Sequence, residues 1–191
     1  MPLPLRCIVA LWLGWLLIWL ASAPFAARTV VRQGAGVFIA DRLLLWGGAV
    51  LLMVHGSNFL LRPVAAGAWE RWTCVAAVTA GLAAAVWARL NLGRNWSAVP
   101  ALQEGHSLVR TGPYGLVRHP IYTGLLLALG GTTLAVGTPA ALAGLAVMAG
   151  AVAVRIRREE TLMIRQFGDA YLAYRAEVPA LIPRASFRRV R

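Results

Sequence analysis

Three apolar runs, about Ile8 to Phe25, Leu43 to Leu61 and Thr73 to Leu92, constrain this chain more than any other feature in it. Each is close to the roughly 20 residues a helix needs to cross a hydrocarbon core of about 30 Å. Inside lipid every backbone N–H and C=O must be satisfied within the segment, so each run reads as a transmembrane helix. Apolar residues make up 59% of the 191 and charged residues only 14%, which excludes an ordinary soluble core. Two shorter runs follow, Ile121–Val136 and Ala140–Val154, joined only by Gly137-Thr138-Pro139. That is turn chemistry with a proline suited to the first position of a new helix, and it predicts a helical hairpin. Each arm gives about 24 Å of helix, so the hairpin stops short of the far surface or sits where the bilayer thins. No breaker lies between Ala140 and Phe167, and the second arm is expected to run past the bilayer as one helix until Gly168.

The expected fold is therefore all-α and polytopic, with about five transmembrane helices, the last two a short hairpin, plus a cytoplasmic loop and a C-terminal helical segment. Residues 1–92 hold the first three spans; residues 93–191 hold the part that carries chemistry, in one integrated domain. Arg6, the following apolar run and Ala21-Ser22-Ala23 have the outline of a secretory signal, but Pro24 and the length of the run favour a retained span.

All 19 basic residues are arginine, and the net charge is +12. With five crossings and a cytoplasmic carboxyl terminus, only Arg6, Arg62 and Arg71 fall outside and every other arginine lies at the inner face, as the positive-inside rule asks. The arginines flank apolar runs with no aromatic-plus-basic recognition module, so nucleic acid is not an expected partner. Cys7 and Cys74 suggest neither a disulfide framework nor a metal site and read as free thiols.

The segment Arg110–Gly124, just before the hairpin, is rich in Arg, His, Tyr, Pro and Gly: too polar for a span, it looks like a site at the membrane surface. Because the arms run in opposite directions, residues entering the hairpin (His119, Tyr122) and leaving it (Arg155, Arg157, Arg158, Glu159, Glu160) emerge at one face. Arg155 and Glu159 stand at i and i+4 on one side of a helix. On their own they are a solvated helix end with local ion pairs; fixed beside that loop, a cation and an anion are suited to a zwitterionic small molecule.

These residues carry a resemblance. Glu104-Gly105-His106-Ser107-Leu108-Val109-Arg110-Thr111-Gly112-Pro113-Tyr114, Val117-Arg118-His119-Pro120-Ile121-Tyr122-Thr123-Gly124, then Glu159-Glu160, Phe167-Gly168, Tyr171, Tyr174 and Val178–Pro183 resemble the isoprenylcysteine carboxyl methyltransferase family and its phospholipid methyltransferase relatives over roughly Leu92 to Pro183. The resemblance implies a membrane methyltransferase that uses S-adenosylmethionine, without a metal and without a Rossmann domain; the chain has no glycine-rich strand-to-helix fingerprint. It carries the family's cofactor contacts onto His106, Ser107, Leu108, Val109, Tyr114, His119, Pro120, Ile121, Tyr122 and Glu159, and its substrate-side arginine onto Arg155, making Arg155 and Glu159 the catalytic candidates. Where the family has a glutamine upstream of the His-x-Leu-Val stretch, this chain has Val99, with Gln103 nearby.

The expected partners are S-adenosylmethionine, membrane lipids and a lipidic or apolar acceptor, and the expected place is a bacterial inner membrane with the active site cytoplasmic. Arg155 suits an anionic carboxylate or thiolate, and methylation of an amine, as in phospholipid N-methylation, is the alternative. A prenylated cysteine, a phospholipid, a fatty acid and a small thiol all stay open as acceptors, as does the oligomeric state. From other classes, a non-enzymatic membrane protein and a nicotinamide-dependent reductase stay open too. His55 and Asn58 read as interhelical hydrogen-bonding groups or as a functional pair. Gly130, Gly131, Gly144 and Gly150 are expected to let the hairpin arms pack closely. Arg184 to Arg191 reads as a basic tail for anionic headgroups.

Overall fold

The computed structural model describes residues 1–22, 29–31, 43, 47–50, 67–93, 102–103 and 108–184. In chain order these give helix α1 (Leu3–Ser22), strand β1 (Thr29–Val31), helix α2 (Ala68–Leu92), strand β2 (Leu102–Gln103), a 3-10 turn (Gly112–Gly115), and helices α3 (Pro120–Val136), α4 (Pro139–Phe167) and α5 (Asp169–Glu177). Helices α1, α2 and α4 are long and apolar enough to cross a membrane, and α3 is a shorter apolar helix. Of the expected second span only Leu43 and residues 47–50 are described, all helical, and His55 and Asn58 lie outside the described residues. One small departure from an all-α chain is an antiparallel pairing of β1 with β2, Thr29 opposite Gln103 and Val31 opposite Leu102. The β-branched Thr-Val-Val stretch suits it.

Helix ends follow local chemistry. Helix α1 starts at Leu3, ahead of the expected Ile8, because Pro4 sits in the first turn, where its missing N–H is not needed. Helix α2 starts at Ala68 rather than Thr73, and the Glu70 carboxylate accepts from the Gly67 N–H to close its first turn. The hairpin turn forms as its residues predict. Gly137 takes φ 69° at the end of α3. The Thr138 hydroxyl accepts from the Ala141 N–H at 3.0 Å, and Pro139 opens α4. Helix α4 then runs unbroken to Phe167 and stops at Gly168, with φ 53°.

The tightest packing is between α2 and α3, not between the hairpin arms. A Cβ on Gly81 would lie 2.5 Å from the Gly124 carbonyl oxygen, and one on Gly124 would lie 2.4 Å from that of Gly81. Gly131 faces the Cys74 carbonyl in the same interface. Ala77, Gly81 and Ala85, four apart on α2, thus form a small-residue stripe that lets the backbones approach. The expectation for the four glycines is corrected accordingly: Gly131 serves α2, the Gly144 carbonyl lies against Gly48, and added Cβ atoms at Gly130 and Gly150 would meet nothing within 4 Å. The arms instead meet through Val136, Ala141, Leu129 and Met148. Helix α1 packs on this pair through Ile8 and Trp12, whose indole donates to the Thr132 hydroxyl at 3.0 Å. At the other end of α1, Arg89 of α2 donates to the Ser22 carbonyl at 2.7 Å, so α1 and α2 finish side by side.

Candidate active site

The face where α1 and α2 finish also receives the 3-10 turn, the start of α3 and the outer half of α4. Gly112 opens the turn with φ 58°, and a Cβ there would lie 2.5 Å from Asn91 Oδ1 on α2, so only glycine seats the turn against that helix. Seating it buries Tyr114, whose carbonyl accepts from the Tyr174 hydroxyl of α5 at 2.6 Å. Leu108 completes the floor, packed with Tyr171, Tyr174 and Val178.

Proline fixes what comes next. Pro120 starts α3 at a position that needs no N–H, which leaves His119 as its N-cap and puts Tyr122 in the first turn. The His119 ring is buried and lies over Tyr122, ring centroids 5.9 Å apart. Two consecutive carboxylates of α4 meet it. Glu159 Oε2 lies 3.6 Å from His119 Nδ1, and Glu160 Oε1 lies 3.3 Å from Nε2. The Tyr122 hydroxyl donates to Glu159 Oε1 at 2.5 Å and accepts from Arg155 Nε at 2.8 Å, while Arg155 Nε and Glu159 Oε1 are themselves 3.5 Å apart. One hydroxyl therefore joins the two residues that the helix spacing put on one face.

The electrostatics follow from burial and pairing. Burial pushes the His119 imidazole toward neutrality, but hydrogen bonds and charge from Glu159 and Glu160 outweigh it and raise its pKa above the ordinary 6.5. Burial raises the Tyr114 hydroxyl well above the usual phenol range, with the Glu159 charge adding to it. Burial also lifts Tyr174, to about 12, against the opposing charges of Arg118 and Arg110. The result is a buried imidazole whose charged form two carboxylates favour, beside phenols that burial holds protonated.

Tyr114, His119, Pro120, Tyr122, Arg155 and Glu159 are thus assembled at one face, with Ile121 half-buried beside them. Leu108 and Val109 are half-buried on the approach, and His106 and Ser107 lie outside the described residues. The cofactor and catalytic candidates named from the sequence left out Arg118 and Glu160. The signal was present in the paired Glu159-Glu160, since adjacent helix residues face about 100° apart and only one can serve the same partner. Among the described residues no group of three or more His, Cys, Asp or Glu side chains is placed to hold a metal ion.

Comparison with known proteins adds the following. Residues 74–165 match the isoprenylcysteine carboxyl methyltransferase (ICMT) family. The chain is 34% identical over 99 residues to protein-S-isoprenylcysteine O-methyltransferase of Schizosaccharomyces pombe, a match covering 50% of this chain and 42% of that protein. It is 40% identical over 80 residues to methanethiol S-methyltransferase 2 of Bradyrhizobium diazoefficiens, covering 40% of this chain and 29% of that one. It is 34% identical over 125 residues to the nickel-cobalt-cadmium resistance protein NccN of Alcaligenes xylosoxydans xylosoxydans, covering 63% of this chain and 56% of that one. The matched part of the chain spans between 29% and 56% of the length of these relatives.

Proposed function

We propose, from a chain whose residues 74–165 match the isoprenylcysteine carboxyl methyltransferase family, that this integral membrane protein transfers a methyl group from S-adenosylmethionine to the anionic head of a lipidic or apolar acceptor. The observation that carries this reading is the Arg155–Tyr122–Glu159 hydrogen-bond chain beside the buried His119. A zwitterionic sulfonium donor needs an anion for its ammonium, a cation or N–H groups for its carboxylate, and aromatic faces for its sulfur. Glu159 fits the first. The His119 imidazolium, with the main chain of residues 106–109, fits the second. Tyr122 and Tyr114 fit the third, at about 0.5–2 kcal/mol per aromatic contact. When bound, such a donor supplies a methyl group on a good leaving sulfur.

The chain's own part is alignment and the exclusion of water. Arg155 is one helical turn nearer the membrane than Glu159, where the head of an acceptor entering between helices arrives, and its guanidinium holds a carboxylate or thiolate there. An anionic acceptor has no proton to lose, so no general base is required. The names of the relatives span O- and S-methylation, and both acceptor types suit Arg155. The arginine distribution supports a cytoplasmic site; the membrane we propose is a bacterial inner membrane.

Calorimetry on the detergent-purified chain tests the donor half: S-adenosylmethionine binds the wild type, and the heat disappears in His119→Ala and Tyr122→Ala. Undiminished binding in both variants sinks the site. Lipid extracts incubated with the chain and isotopically labelled donor, then read by mass spectrometry, identify the acceptor.

A further inference from the structure

Glu160 has the same chemistry as Glu159 and a different set of neighbours. Its Oε1 accepts from Arg118 Nε at 2.9 Å and Nη2 at 2.6 Å as well as facing His119, its Oε2 lies 3.5 Å from Arg175 Nε, and its side chain is 11% exposed against 24% for Glu159. Arg118 turns its remaining edge the other way. Its Nη1 donates to the Arg175 carbonyl at 3.1 Å and to the Val178 carbonyl, the orphan acceptors at the end of α5. The main chain continues the seam: Arg118 N–H donates to Pro179 O at 2.8 Å, His119 N–H to Ala180 O at 3.0 Å, and the Thr123 hydroxyl to Leu181 O at 2.8 Å. Residues 175–181 are thereby strapped along residues 118–123.

We propose that Arg118 and Glu160 are a positioning pair: touching no substrate, they fasten the segment after α5 across the site and hold His119 in the orientation and charge that the donor site uses. The geometry divides the labour. A planar guanidinium is the one side chain that serves a carboxylate on one edge and two main-chain carbonyls on the other. His119 is the hinge of the arrangement, with Nε2 toward the fastening pair and Nδ1 toward Glu159. The charged and titratable groups around it are Arg118 and Tyr122 on its own stretch, Glu159, Glu160 and, through Tyr122, Arg155 on α4, and Arg175 and Tyr171 of α5 through Glu160 and Arg118. Removing the Glu160 charge leaves His119 with one carboxylate, so its imidazolium deprotonates at lower pH.

The inference rests on the proposed donor site for its consequence but not for its test. The chain has 3 histidines, so His119 is identified in the NMR spectrum of isotope-labelled protein by its loss in His119→Gln. In Glu160→Gln, which keeps the shape and one acceptor oxygen but loses the charge, the His119 titration moves to lower pH. S-adenosylmethionine affinity then weakens about ten-fold at pH values where only the wild-type imidazole is still charged, with little change in more acidic solution. In Arg118→Lys, which keeps the charge but loses the fork, the main-chain amides of residues 118 and 119 exchange with deuterium at least ten-fold faster. An unmoved His119 titration in Glu160→Gln, or unchanged exchange in Arg118→Lys, overturns the proposal. If the titration and exchange change as stated while the wild type binds no S-adenosylmethionine, the pair stands and the donor assignment falls.

Discussion

Replacing Tyr122 with phenylalanine removes one oxygen atom and tests how the site is wired. The hydroxyl gives a 2.5 Å bond to Glu159 and takes a 2.8 Å bond from Arg155, both with a charged partner. Each bond of that kind contributes about 1.5–3 kcal/mol. Arg155 Nε and Glu159 Oε1 already lie 3.5 Å apart, so in Tyr122→Phe they close on each other directly and recover one of the two. The net loss is one bond's worth, about 1.5–3 kcal/mol or a ten- to hundred-fold change. It falls on turnover, because the collapse draws the guanidinium toward Glu159 and away from the acceptor, whereas Glu159 keeps a cationic neighbour and donor affinity stays within a few-fold. The assay is steady-state methyl transfer with an acceptor identified in labelled lipid extracts, alongside calorimetric donor binding. Because Tyr122 and Arg155 share a bond, the double variant with Arg155→Ala turns over far better than multiplying the two single losses predicts. Simple multiplication of the two effects, or wild-type turnover in Tyr122→Phe, refutes the bridge.

Gly81→Ala and Gly124→Ala should each lower the thermal unfolding midpoint in detergent, at a cost of about 1–3 kcal/mol for backbone forced apart, whereas Gly130→Ala, which meets nothing within 4 Å, should leave it unchanged. Arg155→Ala should cut turnover at least ten-fold with donor affinity nearly intact, and Glu159→Ala should weaken donor binding itself, by about ten- to a hundred-fold if a charge-assisted bond is lost. The raised pKa of His119 makes its charged pairing stabilising in full below its ordinary 6.5, and that contribution drains away as pH climbs through the raised value. Melting curves taken across that window should show the decline in the wild type and not in His119→Gln. Reporter fusions at Gly115 and after Pro183 should give the same cytoplasmic signal, and opposite signals would break the hairpin topology.

Much of this was legible along the chain because it is governed by neighbours in sequence. Gly137-Thr138-Pro139 carries its own turn, the uninterrupted stretch from Pro139 to Phe167 carries its own helix, and the reversal between them brings His119 and Tyr122 to Glu159 and Glu160. What was not legible depends on partners far away. Arg118 grips carbonyls at Arg175 and Val178, and a carbonyl has no residue identity to read. Gly130, Gly131, Gly144 and Gly150 looked as though they served the hairpin arms, yet which face of an apolar helix meets which neighbour is decided by the whole bundle, and α2 took Gly131. The split between Glu159 and Glu160 was hidden for the same reason, since it is set by Arg118 and by the carbonyls it grips 57 and 60 residues away.

That strap has a consequence for the order in which the protein is made. Arg118 and His119 leave the ribosome with nothing to neutralise or cap them, and Glu160 follows 42 residues after Arg118, the Val178 carbonyl 60 after it. At about 5–20 residues per second the interval lasts several seconds, long enough for the apolar arms to be inserted first. On the proposed cytoplasmic placement, the unmasked Arg118 guanidinium, waiting in water through that interval, anchors the entrance of the hairpin at the face where synthesis occurs. On that placement, orientation in the bilayer draws on the very group whose later pairing completes the pocket, and a nascent chain stalled before Val178 would be threaded but open.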